Sequence, residues 1–402
     1  MKKTKLFAIV IAVLMMAVLF AGCGTPAETI SSDAEGSMEA TASAGAEGSE
    51  PAKASAATVE FDLESTTVYS TEGPNGEKVC SPSDFSLTDE EIQKLKDGNF
   101  TAAFCYHLQE DQSNMTKLAS AQAQLEEWGI KTVATTTANM VVEQQIADIE
   151  SVLALKPDVV FVMPIDADAL SSTCKKVSEA GSKLVFMEMY ANGLTEGTDY
   201  VGTVANDYYG IGAGCAHMLA QGLGEEGTVA MCYYDANFYA TNQRDEGFKD
   251  TMAKYYPNIE IVDEVGFTDQ NDTTAQGDAI FANHPDVDGV YASWDIPLEG
   301  VISAAKTAGR TDLVCATPDL NDSTARRIAE GDMIVGSAAP RSYEAGQTEA
   351  YMAAYALLGK ELPSTYCAVP GQFVMVENLL DAYQNMYHTE APKEIVNILN
   401  AK

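Results

Sequence analysis

VYASWD at residues 290–295, IPLEGVISAAKTAGR at 296–310 and DLVCATPD at 312–319 follow one another as an apolar run, a helical period and a second apolar run. Each apolar run stops on an acid, Asp295 in the first and Asp319 in the second. Strand, helix, strand in that order is the unit of a parallel sheet. In an open α/β sheet, ligands bind outside the carboxyl ends of the strands. The two carboxylates and Trp294 are therefore expected at one mouth, on neighbouring loops, as the floor of a small-molecule site.

The same alternation extends in both directions. FTAAFCY, KTVATT, DVVFVMP and KLVFMEM read as strands, separated by the helical stretches MTKLASAQAQLEEWG, VVEQQIADIESVLALK and ALSSTCKKVSEAG. After a break at YANGLTEGTD and a short strand YVGTVA, a second series runs through TVAMCYYD and IEIVDEVGF into the unit quoted above. Apolar strands alternating with helices of about 10–15 residues predict parallel sheets covered on both faces. Two such series, separated near residue 205, predict an α/β fold of two doubly wound lobes, in keeping with a soft prior of ~150 residues per domain.

The flanks carry different signals. MKKTK supplies a positive start, Leu6–Phe20 is unbroken apolar sequence, and Ala21 and Gly22 directly precede Cys23. That run is too short to span a bilayer and ends in a processing site, so residues 1–22 are expected to be a signal peptide. LFAGC resembles the processing box of bacterial lipoproteins, with Phe20 where such boxes usually carry Leu. The resemblance implies a lipidated Cys23 as the sole membrane anchor; ordinary secretory cleavage beside an incidental Cys is the alternative. Residues 23–57, rich in Ser, Ala, Gly, Thr and Glu, read as a flexible acidic tether. Residues 58–97 read as an extension with one short helix, SLTDEEIQKLKDGN, which Thr88 and Glu91 open as a capping box and Gly98 ends. Residues 386–402 read as a polar helical tail.

Composition narrows the function. The net charge of −35 becomes −38 once Lys2, Lys3 and Lys5 of a removed leader are discounted, a field that repels nucleic acid and anionic headgroups. Beyond Cys23, seven cysteines (Cys80, Cys105, Cys174, Cys215, Cys232, Cys315 and Cys367) are scattered without a C-x-x-C spacing, so neither a disulfide framework nor a zinc site is expected. Cys105, Cys232 and Cys315 lie in apolar runs, where Cys acts as a small hydrophobe. His107, His217, His284 and His388 make no metal-ligand spacing. No G-x-S-x-G, H-E-x-x-H or P-loop motif occurs, and Gly210, Gly212 and Gly214 suit close helix packing better than a dinucleotide fingerprint. A non-enzymatic protein with no cofactor and no metal is expected.

PDVVFVMPIDADAL, QRDEGF, HPDVDGVYASWD, LGKELP and the strand end carrying Asp319 occur in the order and spacing of a known family. Across roughly Phe100–Leu380 the chain resembles the type I periplasmic sugar-binding proteins of ABC transporters, the ribose-binding-like group. The resemblance implies two lobes joined by a three-segment hinge, the first from residues 98–205 plus 340–370 and the second from 206–339 plus 371–385. Its ligand positions fall here on Asp111, with His107 and Asn114 nearby, on Glu188, Arg244, Phe267 and Asp319. The chain departs from the pattern in several places. Ser113 and Asn114 replace paired aromatics, Met189 replaces an Arg, Trp294 replaces an Asn while Asp295 is kept, and Ala339 stands where a last polar contact would be.

This residue set suits a polyol. Carboxylates accept paired hydroxyl hydrogen bonds, Arg donates a planar fork, and an aromatic face covers the C–H side of a sugar ring. Other readings stay open. Arg244 can form a helix-start ion pair, Asp295 fits an N-cap before Ile296-Pro297, and Glu188, His107 and Asp111 can be solvated. Asn321, Asp322 and Ser323 are nearer caps for the following helix than Asp319. The function implied is an extracytoplasmic solute-binding lipoprotein, a monomer that closes on a sugar or polyol and delivers it to an ABC permease. A nucleoside or furanosyl signal as ligand, or a chemoreceptor or kinase as partner, is the alternative.

Overall fold

A computed structural model describes residues 61–109 and 111–402. The leader, Cys23 and the tether lie outside them. In chain order the elements are β1 (Val79–Cys80), α1 (Asp89–Gly98), β2 (Thr101–Tyr106), α2 (Gln112–Glu127), β3 (Lys131–Thr137), α3 (Val142–Leu153), β4 (Val159–Val162), α4 (Ser171–Glu179), β5 (Lys183–Met187) and β6 (Gly202–Asn206). There follow α5 (Tyr208–Leu223), β7 (Gly227–Tyr234), α6 (Tyr239–Tyr255), β8 (Ile259–Phe267), α7 (Thr274–Asn283), β9 (Gly289–Ala292), α8 (Asp295–Thr307), β10 (Val314–Pro318), α9 (Asp322–Glu330) and β11 (Ile334–Pro340). The chain ends with α10 (Ser342–Leu358), β12 (Tyr366–Val369), β13 (Gly371–Met375), α11 (Leu379–Tyr387) and α12 (Lys393–Asn400).

Two sheets organise these elements. The first has seven strands in the order β1-β12-β6-β5-β4-β2-β3, and the second six in the order β13-β11-β10-β9-β7-β8. All neighbours are parallel except β13, which runs antiparallel to β11. Every residue of β4 and β9 is buried, because helices cover both faces of a parallel sheet and leave no solvent side. The chain passes between the sheets three times, at Asp207, Arg341 and Pro370. Helix pairs pack closely where one presents glycine. A Cβ on Gly346 of α10 would lie 2.1 Å from the Lys117 carbonyl oxygen in α2, and one on Gly212 of α5 would lie 1.8 Å from that of Arg244 in α6.

The ends of the chain differ from expectation. Residues 386–402 are no separate tail, since Met386, Tyr387, Ala391 and Ile395 are buried in the core of the second lobe, where an amphipathic α12 faces α9. The capping box of Thr88 and Glu91 opens α1 as expected, but the helix includes Gly98 and closes on Asn99 in the left-handed conformation (φ 51°).

The extension is integral too. Phe61 stacks on His217 of α5 at 4.7 Å and contacts Phe373 of β13. Gln372 Nε2 donates to the Leu63 carbonyl (3.4 Å), Arg341 donates to the Ser65 carbonyl (3.1 Å), and the Tyr69 and Ser70 amides donate to the Asp207 carboxylate at 2.6 and 3.1 Å. The chain then enters the first sheet as β1. Residues 61–80 thus strap across all three crossovers. Asp207 is the hub, because its carboxylate also caps α5 by accepting from the Gly210 amide (2.9 Å). Asp207→Ala strips those buried donors of their acceptor and is expected to lower stability by about 2–4 kcal/mol in urea unfolding; a loss below about 1 kcal/mol would mean the strap is not anchored there.

Candidate functional site

Each lobe builds one cation–carboxylate pair by the same local route. In the first lobe, Lys117 is the sixth residue of α2 and Glu188 follows β5 directly. In the second, Arg244 is the sixth residue of α6 and Asp319 follows β10 directly. Glu188 and Asp319 both adopt left-handed backbone, at φ 62° and 66°, and their amides donate to the Val204 and Ala338 carbonyls of the adjoining strands at 2.8 and 2.9 Å. Non-glycine residues held there cost about 1–3 kcal/mol each and cluster at functional sites. The turn aims each carboxylate back over the strand ends toward its cation.

The pairs differ in how much each leaves for a ligand. Arg244 makes a bidentate pair with Asp319 (3.0 and 3.1 Å), and its Nη1 also donates to the Ser293 carbonyl (3.3 Å). The Asp319 side chain is 33% exposed, so lone pairs remain open to the cleft. Burial opposes the Arg244 charge, but Asp319 holds the guanidinium above its ordinary range. Glu188 is only 14% exposed. It accepts from Lys117 Nζ, the Asn206 amide (3.2 Å), Asn206 Nδ2 and Tyr208 OH (2.6 Å). Burial pushes Glu188 up, and Lys117 with these other donors brings it below the usual carboxylate value. Tyr208 joins the pairs, since Arg244 lies over its ring, 5.7 Å from the centroid, a cation–π distance. Lys117, Glu188, Tyr208, Arg244 and Asp319 thus form one polar chain across a cleft of about 970 Å³ between the lobes.

Seven of the residues expected at the site line this cleft: His107, Asp111, Asn114, Glu188, Arg244, Trp294 and Asp319. Asp111 caps α2 by accepting from the Asn114 amide (2.8 Å), and Asn114 Nδ2 donates back to it (2.7 Å). Burial, then the Lys117 charge, lowers the His107 pKa and favours the neutral imidazole. Trp294 donates its indole N–H to Gln270 (2.9 Å) and packs edge-on to Tyr234 at 5.3 Å. Phe267 and Asp295 are not among the lining residues. Phe267 is buried behind the wall, 5.0 Å from the Trp294 ring. Asp295 is not the N-cap of α8, a position Trp294 occupies, but its first residue. Its buried carboxyl accepts from the Asn321 amide (3.2 Å), and burial, then the Asp319 charge, raises its pKa to about 7. Asn321 caps α9 (2.9 Å to the Thr324 amide), which leaves Asp319 to face the cleft.

Three important residues escaped sequence reading. Lys117 sits in a helix where a lysine reads as solvated, yet its side chain is 3% exposed. Tyr208 carries no local motif. Glu349 of α10 is fully buried, and neither carboxyl oxygen has a hydrogen-bond partner among the described residues. Burial drives its pKa to about 8, although the Lys117 charge pulls the other way. Among the described residues, no group of three or more His, Cys, Asp or Glu side chains could hold a metal ion.

Residues 103–361 match the family model described as periplasmic binding protein domain. The chain is 26% identical over 200 residues to the xylitol-binding protein of Mycolicibacterium smegmatis, covering 49% of this chain and 56% of that protein. It is 24% identical over 180 residues to the ribose import binding protein of Escherichia coli, covering 44% and 59%. These matches span less than two thirds of each curated relative. An arabinose-binding protein from Geobacillus stearothermophilus shares the fold with a TM-score of 0.64 and 20% identity, over 71% of this chain and 99% of that one. A tagatopyranose-bound solute-binding protein from Agrobacterium vitis shares it with a TM-score of 0.60 and 23% identity, over 72% and 99%.

Two outcomes test the site's construction. Glu349 has a folded pKa raised from 4.5 to about 8, so between those values the folded state holds a proton that the unfolded state releases. Stability from this group is present at low pH and is lost as pH rises to about 8. The melting temperature of wild type relative to Glu349→Gln is expected to fall across that window; parallel profiles would refute the protonated carboxyl. Gly212→Ala forces a methyl into the Arg244 backbone and is expected to cost about 3 kcal/mol in urea unfolding, unchanged stability being the contrary result.

Proposed function

The chain belongs to the periplasmic binding protein family, and from that premise we propose that it captures a sugar or polyol between its lobes and hands it to an ABC permease. The observation that carries this reading is the charge-balanced polar chain on the cleft floor. Both cations are already matched by carboxylates, so the floor suits a neutral ligand rich in hydroxyls rather than an anion. Trp294, Tyr234 and Phe238 on the second lobe give apolar cover for the C–H face of a ring. A ligand that bonds Asp319 and Arg244 on one lobe and His107, Asn114 or Lys117 on the other stabilises the closed state by its differential contacts. The relatives named for xylitol and ribose support the same class.

A nucleoside is the second reading. Met140, Met163 and Met189 join the three aromatics in the lining and offer a polarizable, adaptable surface for a base. The proposed setting is extracytoplasmic, with a monomer held to the membrane by lipid on Cys23 and residues 23–57 as tether. Among the described residues no helix is long and apolar enough to cross a membrane.

A thermal-shift screen of the chain lacking residues 1–22 against monosaccharides, polyols, nucleosides and uronic acids tests the reading. Stabilisation by a neutral polyol or sugar, and none by uronates, is expected. Arg244→Ala and Asp319→Ala are each expected to weaken the best hit about 10–100-fold, the loss of a charge-assisted hydrogen bond. Stabilisation by nucleosides alone selects the second reading, and unchanged affinity in both variants removes the site assignment.

A further inference from the structure

Cys80 and Cys367 are remote in sequence, and neither has a neighbouring cysteine to mark it. The fold puts them side by side. β1 and β12 are parallel neighbours with Cys80 in register with Cys367, and both side chains enter the same core cluster. Adjacent strands lie about 4.8 Å apart, within the Cα separations of roughly 4.4–6.8 Å that a disulfide bridges. Both are buried free thiols. We propose that Cys80 and Cys367 form a reversible disulfide that fastens the N-terminal strap to the first lobe.

Place and setting favour the reaction. β1 is a two-residue strand at the edge of its sheet, so a local opening exposes Cys80 without unfolding the lobe. Members of this family work outside the cytoplasm, where disulfides persist. The neighbouring Cys367 thiol draws Cys80 below its ordinary pKa, while burial pushes Cys367 up. Cys80 is therefore the attacking thiolate. It displaces one thiolate from a low-molecular-weight disulfide and becomes a mixed disulfide. Cys367, losing its proton, then attacks the Cys80 sulfur and expels the second thiolate. Two protein thiols are oxidised, one small disulfide is reduced to two thiols, and atoms and electrons balance. The remaining described cysteines, Cys105, Cys174, Cys215, Cys232 and Cys315, are buried. Burial raises the pKa of each to about 12 or above, which leaves them as thiols under the same oxidant.

The test uses the purified full chain treated with oxidised glutathione, then alkylated in denaturant and digested. The expected product is a cross-linked peptide pair containing Cys80 and Cys367, lost on reduction, with those five cysteines alkylated. Alkylation of both Cys80 and Cys367, or glutathione held on Cys80 alone, overturns the proposal. Heat unfolding supplies a second readout. Because the bond closes a very long loop, the oxidised wild type is expected to melt about 5 °C or more above the reduced form. Cys80→Ser and Cys367→Ser should each show no difference between oxidised and reduced samples. An equal rise in either variant places the effect at other cysteines and overturns the assignment.

Discussion

The requirement that a buried charge be paired governs this molecule. Lys117 and Arg244 each carry a full positive charge into a lobe that would otherwise exclude it, and each is tolerated because a carboxylate meets it at the next strand ends. Removing one member of such a pair is far more damaging than replacing both. The rest of the architecture serves that meeting. A glycine on the crossing helix lets each cation-bearing helix approach backbone to backbone, and a left-handed residue turns each carboxylate inward. The same three devices occur at matching positions in the two lobes, with different residues filling them. The matching positions are a property of the topology; the residues are this chain's own.

Much of this was legible in the sequence. Continuous apolar runs alternating with helical periods gave the strands and helices in order, and the acid-terminated strand placed Asp319 at the mouth; Glu188 came from the family resemblance. Arg244 was found through the QRDEGF motif. What stayed hidden depends on contacts between segments far apart in sequence. Lys117 and Glu349 look like ordinary helical charges until α2 and α10 pack together. Phe267 ends a strand and looked exposed to ligand, but Trp294 covers it. Asp295 had the local chemistry of a cap, yet burial beneath Asp319 sets its role.

The extension is the least legible part of the chain. It reads only as an extension with one short helix, whereas its backbone and side chains bond to residues at every crossover. Such a segment is invisible to pattern reasoning because its stabilisation is non-local: single hydrogen bonds to Asp207, Arg341 and Gln372, a ring stack on His217 and two residues of sheet. The family match covers residues 103–361, and the strap lies outside it. Bending the hinge requires those bonds to move with it.

The unequal exposure of Glu188 and Asp319 divides the work of the two pairs. Asp319 keeps lone pairs accessible from the cleft, whereas Glu188 is surrounded by donors from its own chain. The second-lobe pair is thus a chemical surface and the first-lobe pair a structural joint. A change at Asp319 alters what the cleft presents, whereas a change at Glu188 first strands Lys117, Asn206 and Tyr208 without their acceptor.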